Sequence, residues 1–117
     1  SVDVTPDHAY PCDLEGCNAV GEGISVTLGD PSAMLDEELV NEMLACCEEN
    51  GIRYQRGVMD RGGTDASSMN QSGDGVRVAG IAVVDRYPHS KCSVIAKDDV
   101  TAGIDLLDKY THRVFKF

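Results

Sequence analysis

Hydrophobic residues follow two different periods along the chain, and the period distinguishes strands from helices. Ile24, Val26 and Leu28 alternate with other residues, which predicts a strand with one buried face. The run from Val76 to Val84 consists mostly of small and β-branched residues, which is typical of a strand buried on both faces. The predicted strands are residues 1–5, 23–28, 52–59 and 76–84.

Two other segments carry apolar residues at three- and four-residue spacing, the period of an amphipathic helix. The first helix has acidic residues from Asp36 onward, where the helix dipole favours them, and it ends at Asn50-Gly51, a left-handed stop. The second is predicted at residues 98–114, with Asp98 as its N-cap. The apolar stripes are Leu35, Leu39, Val40, Met43, Leu44 and Cys47 on the first helix and Val100, Ile104, Leu107, Tyr110 and Val114 on the second.

In chain order the elements are strand, strand, helix, strand, a short helix at residues 66–71, strand and helix. Such alternation predicts an α/β fold, a layered α/β/α arrangement with a mainly parallel or mixed sheet, in which crossover helices place parallel strands side by side. The length of 117 residues suits one compact domain. Because the chain starts at Ser1 without a Met and enters a strand at once, we expect a piece of a longer protein.

Charge and cysteine usage limit the partners and the compartment. The chain has 20 acidic and 10 basic residues and a net charge of -10, which argues against nucleic acid and anionic membranes and suits metal cations. We find no apolar run of about 18 residues and no leader resembling a signal peptide. Five irregularly spaced cysteines indicate a reducing compartment, so we expect a cytoplasmic location. His8, Cys12 and Cys17 leave a structural zinc site open as an alternative, although they lack a CxxC pair.

Two residues are candidate metal ligands from their positions. His89 directly follows the buried strand, at the carboxyl edge where open α/β sheets bind ligands, and a neutral imidazole binds zinc, cobalt or nickel. His8 and His112 lack that context and are expected in solvent. Asp3 lies near the end of the first strand and is either a carboxylate facing water or a metal ligand directed from the sheet.

The segment Gly62-Gly63-Thr64-Asp65 precedes the short helix. A glycine pair permits a sharp turn or a close approach to a ligand. Thr64 or Asp65 either caps the helix or faces a substrate pocket. No Gly-Lys-Ser/Thr follows, so the segment is not a phosphate-binding loop.

Several motifs in consistent order resemble one family along essentially the whole chain. They are Val2-Asp3-Val4-Thr5, Asn50-Gly51-Ile52, Gln55, Gly62-Gly63-Thr64-Asp65-Ala66, Gly75-Val76 and Arg86-Tyr87-x-His89-Ser90. The chain is similar to the carboxyl-terminal third of the glutamyl or deblocking aminopeptidases, dinuclear-metal exopeptidases that also carry the names endoglucanase and cellulase M. The resemblance implies that residues 1–117 are the carboxyl-terminal segment of the catalytic domain, without its amino-terminal part and inserted domain.

The resemblance also implies two divalent ions, zinc or cobalt, held by two histidines and three carboxylates. It places Asp3 and His89 among these ligands and leaves the others, with the general base, outside this chain. Thr64, Asp65 and Arg86 are then expected behind the ligands or in the substrate pocket. A peptide substrate and a homo-oligomer are implied for the full-length protein, and we expect the chain alone to be inactive, with no catalytic residue of its own.

The chain departs from the family after His89. There the family often has Ser-Pro-x-Glu, whereas this chain has Ser90-Lys91-Cys92-Ser93 and lacks that carboxylate. Two other functions stay open. One is a non-catalytic α/β assembly or regulatory module. The other is a glycosidase, which the 5% of aromatic residues and the absence of Trp disfavour.

Overall fold

The computed structural model describes residues 1–9 and 16–115, which contain five strands and three helices. In chain order these are β1 Val2–Pro6, β2 Ile24–Gly29, α1 Glu37–Asn50, β3 Tyr54–Val58, α2 Ala66–Asn70, β4 Ile81–Arg86, β5 Val94–Ile95 and α3 Lys97–Thr111. None of these helices has the length and apolar character needed to cross a membrane.

The strands form one mixed sheet in the order β1-β4-β2-β3, and β5 also pairs with β4. β1 is parallel to β4, and β2 is parallel to β3 through the crossover helix α1. β2 and β5 run antiparallel to β4. The predicted α/β fold with a mainly parallel or mixed sheet is therefore confirmed, as is the parallel pairing across a crossover helix.

The apolar core lies between one face of the sheet and the two long helices. Strand alternation directs Ile24, Val26 and Ile81 toward the helices, and all three are at most 2% exposed. The helices contribute Val40, Met43, Cys46, Cys47, Ala102 and Leu106 to the same cluster. Burial raises the pKa of Cys47 to about 11, so this thiol stays protonated at neutral pH.

Both ends of α1 follow from capping interactions. The side chain of Asp36, the N-cap, accepts a hydrogen bond from the N–H of Leu39 at 3.0 Å. At the other end Gly51 has φ +63°, and the N–H of Ile52 donates to the carbonyl of Cys47 at 2.9 Å. The predicted left-handed stop is confirmed.

The start of α3 differs from the prediction in its N-cap and in a buried carboxylate in the first turn. The N-cap is Ala96, not Asp98, and its side chain makes no cap hydrogen bond. Asp99 is 1% exposed, and its carboxylate accepts the N–H groups of Gly21 at 2.7 Å and Gly23 at 2.9 Å. The side chain of Asp99 therefore points inward, and its two hydrogen bonds attach the loop before β2 to α3.

The buried face of α3 is consequently displaced from the predicted stripe. Leu107 and Tyr110 do pack against the core, but Ile104 is 62% exposed and Val114 lies beyond the helix. The buried residues of α3 are Asp99, Ala102, Gly103 and Leu106. A Cβ on Gly103 would lie 3.0 Å from Cδ1 of Ile24, so this helix packs closely on β2.

The predicted strand 76–84 begins too early. Val76 is exposed, and Val78 makes only an isolated bridge with Leu35. The guanidinium of Arg77 donates to Asp36 and Glu38 at the start of α1. This ion-pair network holds the segment beside α1, and regular pairing in the sheet begins only at the first residue of β4.

The opposite face of the sheet is polar and is closed by the loop before β2. Asn18, 2% exposed, donates through Nδ2 to Oγ1 of Thr5 at 3.2 Å and accepts from Oγ of Ser25 at 3.1 Å. Gln55 hydrogen-bonds both backbone groups of Ala19 at 2.9 Å. This network connects β1, β2 and β3 through the loop. It leaves no room for a side chain at Gly57 of β3.

Replacing Gly57 by alanine is expected to lower the free energy of unfolding by about 1–3 kcal/mol through overpacking. The new Cβ would lie 2.2 Å from Oγ of Ser25 and 2.8 Å from Oδ1 of Asn18. Gly80→Ala is the matched control, because a Cβ there meets nothing closer than 3.6 Å. Urea denaturation of both variants measures the difference, and equal loss of stability in the two would contradict this packing argument.

Candidate functional site

Both candidate metal ligands line one cavity of about 400 Å³. Its wall is formed by Asp3–Pro6 of β1, by His8, by residues 58–63 at and after the end of β3, and by Pro88 and His89. These segments are distant in sequence, and the parallel pairing of β1 with β4 brings two of them together. The structure thus places Asp3 and His89, singled out from the sequence, on a shared surface.

The two residues do not finish adjacent strands at one edge. Asp3 is the second residue of β1 and pairs in register with Ala82, whereas β4 continues to Arg86. At about 3.3 Å per residue, Asp3 lies about 13 Å along the sheet from that end. The prediction that Asp3 lies near the end of its strand is therefore wrong, and Asp3 reaches the cavity from the amino-terminal part of β1.

His89 lies in a loop with an unusual backbone. Tyr87 and His89 have φ values of +62° and +57°, a left-handed region that residues with a Cβ rarely adopt. The hydroxyls of Ser90 and Ser93 both donate to the carbonyl of Tyr87, at 2.5 and 3.3 Å. Each left-handed residue costs about 1–2 kcal/mol, so the loop depends on these contacts, and such strain is concentrated at functional sites.

Arg86 has a structural partner next to this loop. Its Nε donates to Oδ2 of Asp7 at 2.6 Å, which joins the ends of β1 and β4. Burial opposes ionisation of Asp7, but hydrogen bonds from Arg86 and from the backbone N–H groups of Ala9 and Val20 outweigh it and lower the pKa of Asp7. Arg86 is outside the cavity lining, so its predicted place in a substrate pocket stays a prediction.

The two residues of the Gly62-Gly63 pair need to be glycine for different structural reasons. Gly62 has φ +84°, and a Cβ on Gly63 would lie 2.4 Å from Oγ of Ser32. Both residues line the cavity. The pair therefore allows a turn and a close approach to Ser32, and it leaves that part of the wall without side chains.

Thr64 has the contacts of a turn residue. Its Oγ1 donates to Oδ2 of Asp30 at 3.1 Å and accepts from the N–H of Ala66 at 3.2 Å. Asp65 is exposed and its side chain makes no cap hydrogen bond to α2. Neither residue is part of the cavity lining, so their predicted pocket role stays a prediction.

His8 was not expected at this site, and its predicted solvation is wrong. It is half-buried and lines the cavity, because its N–H donates to the carbonyl of Asn18 at 2.7 Å and its Nδ1 accepts from the N–H of Asn18 at 3.3 Å. Cys17 donates to the carbonyl of Arg56 at 3.1 Å. Cys12 lies outside the described residues, so the zinc site proposed for these residues stays untested.

Asp85 is a second carboxylate near His89 that sequence reasoning missed. It is 2% exposed, and within residues 1–9 and 16–115 its Oδ1 is a buried atom without a hydrogen-bond partner. Burial raises the pKa of Asp85, and the charge of Asp3 adds to this, whereas the Ser93 hydroxyl and the charge of His89 act in the opposite direction. Ser93 stands where the family pattern has Glu.

The donor set fits part of a metal centre. Asp3 offers oxygen and His89 offers nitrogen, both suitable for zinc or cobalt. Across the described part of the chain, however, no group of three or more His, Cys, Asp or Glu side chains is arranged to bind a metal ion. Two donors fall short of the roughly four ligands that zinc takes, so further donors are needed from outside these residues.

Comparison with known proteins gives a consistent match. The model of the M42 glutamyl aminopeptidase family matches residues 1–106. The TET aminopeptidase from the marine sediment archaeon Thaumarchaeota archaeon SCGC AB-539-E09 has a TM-score of 0.91 at 22% identity, over 97% of this chain and 32% of that chain. Aminopeptidase APDkam598 from Desulfurococcus kamchatkensis has a TM-score of 0.84 at 25% identity, over 94% and 32%.

A third solved structure is the TET1 peptidase of Pyrococcus horikoshii, described as assembling into a tetrahedron or a large octahedral shell. Its TM-score is 0.71 at 23% identity, over 92% of this chain and 31% of that chain. A protein of Acetivibrio thermocellus is 25% identical over 87 residues, which are 74% of this chain and 26% of that protein. The chain thus spans between a quarter and a third of the length of these relatives.

Replacing Asp7 by asparagine is expected to lower the free energy of unfolding at pH 7 by about 1–3 kcal/mol, because Arg86 loses a charged acceptor. The pKa of Asp7 is lower in the folded state than its unfolded value of about 3.9. Its contribution is therefore present above the unfolded pKa and is lost as the pH falls through the folded pKa.

Urea unfolding at pH 7 and pH 3 tests this dependence, and the difference between wild type and Asp7→Asn is expected to be smaller at pH 3. Glu22→Gln removes the exposed ion pair with Arg53 and is the control, with an expected effect of at most about 1 kcal/mol. A wild-type advantage that is the same at both pH values would show that ionised Asp7 is not its source.

Proposed function

Because the chain belongs to the M42 glutamyl aminopeptidase family, we propose that residues 1–117 form the carboxyl-terminal part of the catalytic domain of a metallo-aminopeptidase, which removes amino-terminal residues from peptides. The observation that carries the proposal is the cavity lined by both Asp3 and His89. The chain spans about a third of the length of its solved relatives. On this proposal the other ligands and the general base belong to the part of the longer protein that corresponds to the remaining two thirds.

In the proposed centre Asp3 would hold one divalent ion and His89 the other, with zinc or cobalt as the metal. Bound metal ions of this kind lower the pKa of coordinated water and polarise a peptide carbonyl. The left-handed backbone at Tyr87 and His89 fixes the direction in which the imidazole leaves the loop. A site that is rigid before metal binds loses less entropy when it forms.

The remaining cavity wall suits a peptide amino terminus. The glycine pair Gly62-Gly63 leaves room for a substrate backbone next to the wall. Asp60 adds a negative charge to this wall, and Arg61, whose Nε lies 3.7 Å from Oδ2 of Asp60, adds a positive one. With Asp3 holding a metal ion, Asp60 is the carboxylate of this wall that is left to attract a protonated amino group.

We extend the proposal to assembly and compartment. TET peptidases among the solved relatives are described as a dodecamer and as a tetrahedron or a large octahedral shell, which supports a homo-oligomer for the full-length protein. Cys17, Cys46, Cys47 and Cys92 are free thiols, which supports a reducing, cytoplasmic location.

The isolated 117-residue chain is expected to show no measurable aminopeptidase activity, whereas a longer protein that contains it is expected to be active. The reason is the incomplete donor set of the described residues. Hydrolysis of aminoacyl-nitroanilides in the presence of zinc or cobalt measures both. Turnover by the isolated chain would refute this prediction, and inactivity of a folded, metal-loaded longer protein would favour the assembly or regulatory module.

In the longer protein, His89→Ala is expected to abolish activity and to lower the bound metal content, because one ion loses a ligand. Metal content by atomic spectroscopy and the nitroanilide rate are measured on the same samples. His112→Ala is the control, because that side chain is 80% exposed at the end of α3 and contacts Asp108. Unchanged metal content and rate in His89→Ala would remove His89 from the ligands.

A further inference from the structure

His8 lies two residues after the end of β1, and the backbone around it is fixed. The N–H of Asp7 donates to the carbonyl of Asp85 at 2.8 Å, and the N–H of His8 donates to the carbonyl of Asn18 at 2.7 Å. The N–H of Ala9 donates to Oδ1 of Asp7 at 2.9 Å. Because three consecutive N–H groups are bonded, the point from which the imidazole leaves the backbone is set before any ligand binds.

The Nδ1 edge of the imidazole is held as well. Nδ1 accepts the N–H of Asn18 at 3.3 Å, and the side chain of Asn18 is itself bonded to Thr5 and Ser25. Gly16 packs against the same edge, since a Cβ there would lie 2.2 Å from Nδ1 and 2.4 Å from Cε1 of the ring. The opposite edge, which carries Nε2, is therefore the part of the ring that is left to face the cavity that His8 lines.

The hydrogen bond from Asn18 determines which nitrogen of His8 carries the proton. An uncharged imidazole has one nitrogen that accepts a hydrogen bond and one that donates. Because Nδ1 accepts an N–H here, the proton is on Nε2, and Nε2 has no hydrogen-bond partner among the described residues. His8 thus presents an N–H donor to the cavity.

This arrangement is the reverse of the one that a metal-binding histidine has. Such a histidine donates the N–H of its second nitrogen to a carboxylate, a backbone carbonyl or water, and it binds the metal through the nitrogen without a proton. In His8 the second nitrogen accepts a hydrogen bond, so the nitrogen at the cavity keeps its proton and has no lone pair for an ion. His8 therefore differs in chemistry from His89, although both line the same cavity.

The donor at His8 suits an uncharged oxygen of a ligand. The cavity wall also contains the guanidinium of Arg61, and a charged donor of that kind is the better partner for a carboxylate. The neutral Nε2–H pairs instead with a carbonyl oxygen, without placing a charge beside it. Each peptide bond carries such an oxygen.

We propose that His8 is a substrate-binding residue of the peptidase: its Nε2–H donates a hydrogen bond to a carbonyl oxygen of the bound peptide, while Asn18 and Gly16 hold the ring in the orientation that this bond requires. The inference rests on the peptidase function proposed above. A donor that is oriented in advance loses less entropy when the ligand binds.

Two amide substitutions in the longer protein that contains this chain separate the roles of the two ring nitrogens. The amide of His8→Gln lies near the position of Nε2 and supplies an N–H to the cavity, but it leaves the N–H of Asn18 without its acceptor. The amide of His8→Asn lies near the position of Nδ1, so it accepts the N–H of Asn18 and supplies no donor to the cavity. His112→Asn is the matched control, because that imidazole is 80% exposed at the end of α3.

The value of kcat/KM is measured with an aminoacyl-nitroanilide and with a tripeptide, and the zinc content is measured on the same samples. His8→Asn is expected to lower kcat/KM by about 2- to 10-fold, the loss that corresponds to one hydrogen bond between uncharged groups. His8→Gln and His112→Asn are expected to retain most of the wild-type value, and all variants are expected to bind as much zinc as wild type.

The two substrates also locate the acceptor. The nitroanilide has a single carbonyl group, at the scissile bond, so a loss with both substrates assigns the acceptor to the scissile carbonyl, and a loss with the tripeptide alone assigns it to the next one. If His8→Asn does not fold, Gly16→Ala serves in its place, because its Cβ displaces the imidazole.

Equal kcat/KM in wild type and His8→Asn with both substrates would overturn the inference. A loss in His8→Gln that equals or exceeds the loss in His8→Asn would overturn it too, since the bond from Asn18 would then be the important one. Reduced zinc content in His8→Asn would show that the imidazole binds metal rather than substrate. A folded, zinc-loaded wild type that hydrolyses neither substrate would refute the proposed function and this inference with it, so the two failures are distinguishable.

Discussion

The parallel pairing of β1 with β4 is the constraint on which the rest of the structure depends. Five consecutive pairs join the two strands, from Val2 with Ile81 to Pro6 with Asp85, between segments that are far apart in the sequence. The pairing continues beyond the strands, where the N–H of Asp7 donates to the carbonyl of Asp85 at 2.8 Å. Without this pairing the start of the chain and the loop after β4 would not line a common cavity, because the two segments are distant in sequence and are joined by these strands.

The sheet has two faces with different chemistry, and the cavity belongs to the polar one. Apolar side chains such as Ile24 and Val26 face the helices, whereas Thr5 and Ser25 face the loop that Asn18 holds in place. Small polar residues let that loop approach the strands closely. The helical layer therefore supplies most of the apolar burial, and the polar face is left to position functional groups.

Local patterns identified much of the fold, because caps and periodicity act over a few residues. The cap of α1 at Gly51 and the parallel crossover followed from them. The inward turn of Asp99 did not, since its partners are backbone N–H groups of a distant loop. At the site, Asp3 and His89 were recognised from their motifs and share a cavity. Asp85 was missed because the features that distinguish it are its burial and its oxygen without a hydrogen-bond partner among the described residues, and only the three-dimensional structure reveals them.

The outer side of β1 has a practical consequence for work with this polypeptide. Within the described residues β1 pairs with β4 alone, so its other edge carries no strand, although the N–H of Val4 donates to Oδ1 of Asp3 at 2.7 Å, and Val2 and Val4 are 60% and 44% exposed. An open apolar edge of this kind recruits further strands and promotes aggregation. Preparations of the 117-residue polypeptide will therefore need low protein concentration and size-exclusion chromatography, so that self-association is not mistaken for a native quaternary structure.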